Sequence, residues 1–169
     1  MVIVYRSNTG FTREYAEMLA KAEKMKVFPI SEAEGKVPSG EAVFYMGPLM
    51  AGHIAGVDQA VKKFTVKGVC GVGMSPASPQ VLEALSKANY VPDSAPIFYL
   101  QGGWAPKKAG WLKRRMVGMA TRSMREALRD KGSRRTPEED KQLDFLLHGG
   151  SYVAFENLET IRAWMREGQ

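Results

Sequence analysis

The sequence predicts an α/β domain built on a doubly wound, five-stranded parallel sheet. Five apolar runs rich in β-branched and aromatic residues recur along the chain, and stretches with helical apolar spacing separate most of them. Strands that alternate with helices in this way form parallel sheets covered by helices on both faces. The predicted strands are residues 2–5, 26–30, 42–46, 66–74 and 97–100.

The connections between these strands fit the same class. Apolar spacing and capping residues predict helices over 11–23, 57–64, 79–88 and 158–167. The connection 31–40 is rich in Pro, Gly and Glu, so we expect a loop or a short turn there. In open parallel sheets ligands bind beyond the carboxyl ends of the strands, so the loops at that edge form the candidate site.

The first of these loops has the sequence SNTGFT and joins the first strand to the first helix. The first N–H groups of a helix have no partners within it, and the positive end of the helix dipole lies beside them. Hydroxyl donors and a glycine at such a turn can form a nest for a phosphate group, although the same residues also serve as ordinary turn and cap residues. The predicted phosphate-binding residues are Ser7, Asn8, Thr9, Gly10, Phe11 and Thr12.

Two further loops at the same edge are rich in glycine and contain no Asp, Glu, Lys or Arg. The sequence GPLMAGHIAG after the third strand suits backbone packed against a flat ligand, and GMSPASP follows the fourth strand. Tight turns between strands and helices have a similar composition, which is the alternative interpretation. The residues predicted to contact the ligand are Gly47, Pro48, Leu49, Met50, Ala51, Gly52, Gly73, Met74, Ser75, Pro76, Ala77 and Ser78.

The composition favours one domain in a reducing, cytoplasmic environment. The chain has 169 residues, of which 44% are apolar and 25% charged, enough to bury a core. Cys70 is the only cysteine and lies among apolar residues, so we expect a buried, inert thiol and no disulfide framework. No signal-peptide pattern or apolar run of about 18 residues predicts export or a spanning helix, which leaves peripheral membrane contact open.

Positive charge is concentrated between residues 107 and 135. This segment contains eleven basic and two acidic residues, a balance of +9, whereas the remainder of the chain carries −3. A helix over 112–129 would separate an apolar face from a polar one. The predicted apolar face comprises Leu112, Met116, Val117, Met119, Ala120, Met124, Ala127 and Leu128, with Lys113 as an exception on that side. The predicted polar face comprises Trp111, Arg114, Arg115, Arg122, Arg125 and Arg129.

Several partners fit this basic amphipathic helix. An anionic membrane surface would attract it by about 1 kcal/mol for each Lys or Arg, and an acidic protein or a carboxylate-bearing substrate would use the same charge. The apolar face could instead pack on the domain itself or on a second subunit in a homodimer, with a helix over 137–147 covering part of it. Nucleic acid is not favoured, since no recognised binding motif or aromatic platform accompanies the charge.

With these three loops, the chain resembles the flavodoxin-like FMN-binding proteins. SNTGFT is similar to the Ser/Thr-x-Thr-Gly-x-Thr phosphate loop of that family, and the likeness extends over the whole chain in strand order. The resemblance implies that residues 7–12 bind the FMN phosphate and that GPLMAG and GMSPAS flank the isoalloxazine ring. Electron-carrier flavodoxins place a Trp or Tyr against the flavin from these loops, and neither loop here contains one.

Within that family the nearest likeness is to menaquinone-dependent protoporphyrinogen oxidase and the related flavodoxin-domain proteins. These proteins share the glycine spacing seen here from Gly47 to Gly52, and they carry a basic helical insertion near the fifth strand. The likeness therefore implies one flavodoxin-like domain over 1–169 with an insertion over 102–152. Trp104 would lie in the core of that insertion or approach the flavin.

The resemblance implies an FMN-dependent oxidoreductase with a quinone or a protoporphyrinogen as substrate, in the cytoplasm or at the inner face of the membrane. An electron carrier without its own organic substrate is an alternative, although the +9 segment differs from the acidic docking face that carriers use. A partner-binding or membrane-binding domain that has lost the flavin is a third. His53 could donate a hydrogen bond to the ring or be a plain loop residue; neither it nor His148 has neighbours with ligand spacing, so no metal site is predicted.

Overall fold

The chain folds as an α/β protein, and the computed structural model describes residues 1–38 and 40–168. These residues form two compact units. The sheet unit comprises Met1–Gly102 and the chain from Tyr152 onward, and the helical unit is Gly103–Ser151. Within the described ranges, no helix combines the length and the apolar character needed to cross a bilayer.

A mostly parallel sheet forms the centre of the sheet unit. Its strands are β1 Val2–Tyr5, β2 Val27–Pro29, β3 Ala42–Met50, β4 His53–Ile54, β5 Thr65–Gly73 and β6 Ile97–Gln101. Five of them pair in parallel in the order β2-β1-β3-β5-β6, and β4 runs antiparallel to the end of β3. The predicted α/β class with a parallel sheet is therefore confirmed. In the helical unit, β7 Gly103–Trp104 pairs with β8 Gly150–Ser151.

Helices connect these strands and build most of the helical unit. They are α1 Phe11–Ala22, α2 Ile30–Ala33, α3 Val57–Lys63, α4 Pro79–Ala88, α5 Trp111–Ala120, α6 Arg122–Asp130, α7 Pro137–His148 and α8 Glu159–Glu167. Local chemistry explains where two of them begin. At the start of α4, the Ser78 side chain accepts a hydrogen bond from the Val81 N–H, and Pro79 is the first helical residue. At the start of α7, Thr136 and Glu139 form a reciprocal capping box. The helices predicted over 11–23, 57–64, 79–88, 137–147 and 158–167 are confirmed to within a residue at each end.

Both faces of the sheet are buried, because successive residues of a strand point to opposite sides. In β1, Ile3 and Tyr5 belong to the core on the side of α1 and α8, whereas Val2 and Val4 belong to the core beneath α3 and α4. Each fully buried aliphatic side chain contributes roughly 1.5–3 kcal/mol to folding. The helices therefore cover the sheet on both sides, as the βαβ pattern predicts.

The single helix predicted over 112–129 is wrong, because the chain breaks at Thr121 between α5 and α6. Thr121 has φ −101° and ψ 3°, outside the helical region. Its hydroxyl donates to the Val117 carbonyl at 2.7 Å, and the Arg125 guanidinium donates to the Gly118 carbonyl at 2.6 Å. Side-chain donors that bind the last carbonyls of a helix compete with its continuation. The continuous apolar face predicted there does not form, and of its described side chains only that of Leu128 is buried.

A hydrogen-bond cluster around the buried Tyr15 joins α1 to the two points where the chain leaves and re-enters the sheet unit. The Tyr15 hydroxyl donates to the Gln101 carbonyl at 2.7 Å and accepts from the Asn157 amide at 2.7 Å. Asn157 also donates to the Tyr152 carbonyl at 2.9 Å, and the Tyr152 N–H donates to the Gly102 carbonyl at 2.7 Å. Tyr15 is fully buried, whereas Tyr152 and Asn157 are exposed, so the cluster links the core beneath α1 to the surface.

Replacing this tyrosine by phenylalanine tests the contribution of the cluster. Tyr15→Phe should lower the free energy of unfolding by about 1 kcal/mol, because the bonds of the Tyr15 hydroxyl to the Gln101 carbonyl and the Asn157 amide are lost. Urea unfolding followed by circular dichroism measures this change. Tyr90→Phe is the matched control, since Tyr90 is 84% exposed, and it should stay within about 0.5 kcal/mol of the wild type. Equal small losses in both variants would contradict the prediction.

Candidate functional site

The ends of three parallel strands meet at one edge of the sheet and place the predicted loops together. Tyr5, at the end of β1, pairs with Pro29 of β2 and Met46 of β3. Further along the same edge, Gly47 pairs with Gly71 of β5. The segments that follow β1, β3 and β5 therefore emerge side by side. The connections reverse direction between β1 and β3, which makes this the switch point where ligands bind in open α/β sheets.

The first loop leaves the N-terminus of α1 without a side-chain cap. Gly10 is the N-cap residue with φ 105°, a left-handed conformation that favours glycine, and no side chain accepts a hydrogen bond from the first turn. A Cβ atom on Gly10 would meet nothing within 4 Å, so the backbone is open on this side. The Ser7 hydroxyl accepts a hydrogen bond from the Gly10 N–H at 3.2 Å and shapes the turn. A twelve-residue helix thus presents unpaired N–H groups and its positive dipole end at the switch point.

The predicted phosphate residues do not all have the same access to this position. Ser7, Thr9, Gly10 and Phe11 are half-buried, and Asn8 is exposed. Thr12 is only 2% exposed, so its side chain belongs to the interior of the first turn and not to the open surface. The loop therefore offers backbone N–H groups together with the hydroxyls of Ser7 and Thr9.

The second predicted loop begins four residues later than the sequence indicated. Gly47 to Met50 are strand residues of β3, and the chain then turns back through Ala51 and Gly52 into β4. Both turn residues have positive φ, 49° and 84°, which defines a type I′ hairpin turn. The loop prediction for 47–50 is wrong, because the register of β3 with β5 continues to Pro48 and no short-range pattern encodes it.

Gly47 is required by close packing inside this hairpin. A Cβ atom there would lie 2.7 Å from the Ala55 carbonyl oxygen and 2.8 Å from the Ile54 side chain. Gly47 and Pro48 are buried and Leu49 is half-buried, so none of them lines an open loop. The accessible part of the second segment is the hairpin tip, with Met50, Ala51, Gly52 and His53 exposed.

A contact between Asn8 and Met50 joins the first loop to the hairpin tip. The Asn8 side-chain amide donates to the Met50 sulfur at 3.4 Å. Met50 is 45% exposed and offers a polarisable apolar surface beside the N-terminus of α1. The structure thereby brings two of the three predicted segments into direct contact.

Asn89 holds the hairpin in place and was missed by sequence reasoning. Its amide oxygen accepts from the Ile54 N–H at 2.8 Å, and its amide nitrogen donates to the carbonyls of Leu85 at 2.9 Å and Gly52 at 3.3 Å. Asn89 is the residue at the C-terminal end of α4 and is 7% exposed. Asparagine is common at helix ends, so the sequence gives no hint that this one binds a hairpin some 35 residues earlier.

The third loop is fixed by side chains from β6. The Gln101 amide donates to the Met74 carbonyl at 3.2 Å, and the Tyr99 hydroxyl donates to the Ser75 carbonyl at 2.7 Å. Ser78 caps α4, so its side chain is already engaged. Gly73 is buried in β5, Met74 is half-buried, and the exposed residues of the loop are Ser75, Pro76 and Ala77.

A cleft of about 360 Å³ lies beside this third loop within the sheet unit. Its lining contains hydroxyl, amide and apolar groups and no charged side chain. The lining residues are Ala77, Tyr99, Leu100, Gln101, Tyr152, Ala154, Asn157 and Thr160. The cleft therefore suits a small neutral molecule better than a carboxylate.

Other residues singled out by the sequence lie outside this edge or are engaged elsewhere. Trp104 is buried in β7 of the helical unit. Cys70 is fully buried, and burial raises the pKa of its thiol, which disfavours the reactive thiolate. His148 is exposed and lies 2.7 Å from the Asp144 carboxylate. The described residues contain no group of three or more His, Cys, Asp or Glu side chains that could hold a metal ion.

Comparison of the chain with protein-family models, with curated proteins and with solved structures gave no match. The description of the site therefore depends on the geometry of this chain. That geometry comprises an uncapped helix N-terminus, a hairpin tip with an exposed methionine and a loop fixed by Tyr99 and Gln101, all at one sheet edge.

The hydroxyl of Tyr99 provides a pH-dependent test of how the third loop is held. Burial raises the pKa of Tyr99 to about 12 from 10.0, with a smaller increase from Cys70. Between these values the unfolded state binds fewer protons than the folded state, so the free energy of unfolding falls as the pH rises from about 10 to about 12. Below this range the contribution is fully present.

Between about pH 10 and 12, the free energy of unfolding of Tyr99→Phe should therefore fall less than that of the wild type. At neutral pH the variant should be less stable than the wild type, because the Ser75 carbonyl loses its hydrogen-bond donor. Urea unfolding at a series of pH values measures both effects. Tyr90→Phe, with an exposed hydroxyl, should keep the wild-type pH dependence. The same alkaline slope in Tyr99→Phe as in the wild type would show that this hydroxyl does not titrate as proposed.

Proposed function

We propose that this protein is a flavodoxin-like, FMN-binding redox protein that acts as an FMN-dependent oxidoreductase. The strand order β2-β1-β3-β5-β6 supports the fold, since it matches the 2-1-3-4-5 order of flavodoxin-like proteins, which bind FMN at the switch point between the first and third strands. The observation that carries the proposal is the uncapped N-terminus of α1 at that switch point, in the sequence SNTGFT.

The residues at this edge fit the chemical parts of FMN. A phosphate group needs hydrogen-bond donors and positive potential, and the backbone N–H groups of Phe11 and Thr12 and the hydroxyls of Ser7 and Thr9 supply them. An isoalloxazine ring needs an apolar neighbour, and the flexible side chain of Met50 at the hairpin tip supplies one. The hairpin and the third loop carry no charged side chain, so neither places a formal charge against the ring.

Bound FMN would supply the transfer of hydride or single electrons, and the protein's part is to position it. Asn89 holds the hairpin and the β6 side chains hold the third loop, so both segments are fixed before a ligand arrives. A prearranged backbone of this kind binds a cofactor without a large loss of loop entropy.

The neutral cleft beside the third loop favours a quinone-linked reaction. A quinone is uncharged, and its two carbonyl oxygens accept hydrogen bonds from groups such as the Thr160 hydroxyl and the side-chain amide of Gln101 in the lining. A substrate with carboxylates would instead need basic groups in the lining, and this cleft has none.

Titration with FMN and with riboflavin, which lacks the phosphate, tests the proposal. The wild type should bind FMN more tightly than riboflavin, because only FMN reaches the α1 N-terminus. Thr9→Asp should weaken FMN binding roughly tenfold or more by repulsion between two anions, and should leave riboflavin binding nearly unchanged. Quenching of flavin fluorescence gives both dissociation constants.

Ser123→Asp is the matched control, since it adds the same charge at an exposed position in the first turn of α6. It should leave both flavin affinities unchanged. Absence of FMN binding by the wild type would overturn the proposed function. Equal weakening of FMN and riboflavin by Thr9→Asp would retain a flavin site but contradict the assignment of the phosphate to SNTGFT.

A further inference from the structure

Helix α5 exposes four large apolar side chains to solvent. We define the α5 surface by these residues, whose exposed fractions range from 52% to 69%. The helix has only ten residues, so these exposed apolar side chains make up a large part of its surface. The residues of the α5 surface are Trp111, Leu112, Met116 and Met119.

These side chains lie on one side of the helix. At 100° per residue, positions 111, 112, 116 and 119 fall within an arc of roughly 140°. Arg115 lies within the same arc, whereas Val117 lies on the opposite side and is half-buried. Helix α5 therefore turns its more apolar side outward, the reverse of an ordinary surface helix, and such a patch marks an interaction site.

Basic residues are concentrated in the sequence around α5. Residues 107–125 contain seven basic residues and no acidic one. Arg114 and Arg115 are exposed, and within the described ranges neither forms an ion pair. The first carboxylate after this stretch, that of Glu126, is already paired with Arg122 at 2.8 Å. The partner of this surface must therefore be apolar in part and negatively charged.

A second copy of the chain fits this surface poorly. A symmetric contact would bring two sets of unpaired arginines together, which costs energy through like-charge repulsion. The apolar part consists of four side chains on three helical turns, less than the roughly 800 Å² that each partner contributes to a stable protein interface.

We propose that the α5 surface docks on an anionic lipid bilayer with the helix lying in the plane of the interface. The apolar side chains enter the boundary between headgroups and acyl chains, and Arg114 and Arg115 pair with lipid phosphates. A tryptophan at the edge of such a surface suits the interface, because its ring is apolar and its N–H is polar. This role does not depend on FMN, so flavin binding and membrane docking can fail independently.

Co-sedimentation of the full-length protein with lipid vesicles tests the proposal. The protein should sediment with vesicles of phosphatidylcholine and phosphatidylglycerol, bind much less to phosphatidylcholine alone, and be released by high sodium chloride. Trp111 reports the same event by fluorescence, since its emission should shift to shorter wavelength on binding. Trp104 is buried and Trp164 is half-buried, so the shift comes from the exposed ring.

Two double variants separate the electrostatic and apolar contributions. Arg114→Gln with Arg115→Gln should weaken the partition into anionic vesicles by roughly thirtyfold, at the usual contribution of each basic residue. Leu112→Gln with Met119→Gln should also abolish the shift of the tryptophan emission. All four side chains are exposed, so circular dichroism and the melting temperature should stay at their wild-type values.

Matched control variants place the same changes elsewhere. Lys21→Gln with Lys26→Gln removes two exposed positive charges from the sheet unit, and Leu82→Gln with Tyr90→Gln removes two exposed apolar side chains. Both controls should bind vesicles like the wild type.

Three results would overturn the proposal. Failure of the wild type to sediment with anionic vesicles is the first, and equal binding to neutral and anionic vesicles is the second. The third is equal loss of binding in the control and α5 variants. A wild type that fails to bind vesicles should then be tested for dimer formation by its mass in solution. If it is a dimer, and Leu112→Gln with Met119→Gln makes it a monomer, a second copy of the chain covers the α5 surface.

Discussion

Parallel pairing of β1, β3 and β5 determines where every candidate functional group of the sheet unit lies. Parallel strands need crossovers that pack on the faces, so both faces become core and neither is available to a ligand. The carboxyl ends of the strands are then left as the edge where loops can differ in chemistry. In this chain that edge combines an uncapped helix N-terminus with the tip of a hairpin.

The loops of the candidate site are held by hydrogen bonds from side chains that lie elsewhere in the sequence. The Asn89 side chain forms hydrogen bonds with the backbone of the hairpin, and the side chains of Tyr99 and Gln101 donate hydrogen bonds to carbonyls of the third loop. The N–H groups at the start of α1 are also without a side-chain cap. Unpaired N–H groups at a helix N-terminus favour an anion, and this is the basis of the proposed phosphate position.

The two units differ in charge as well as in architecture. The helical unit contains twelve basic and six acidic residues, so its net charge is +6. The whole chain also carries +6, and the sheet unit therefore has no net charge. The proposed chemistry belongs to the neutral unit and the proposed lipid contact to the basic one. A division of this kind assigns long-range electrostatic attraction to the helical unit, since the sheet unit has no net charge.

Hydrophobic periodicity alone determined the α/β class, the parallel strands and most helix ends, because these depend on residues close together in the chain. The strand-to-helix turn at SNTGFT could also be predicted locally, since it joins a buried strand to a helix, and its binding of phosphate stays a prediction. Tertiary structure decided the rest. The extension of β3 to Met50 depends on pairing with β5 and on the packing of Ile54 against Gly47, and the buried position of Thr12 depends on the core beneath α1. Likewise, the outward direction of Met116 and Met119 depends on how α5 packs, and an amphipathic pattern indicates a face without indicating which side faces solvent.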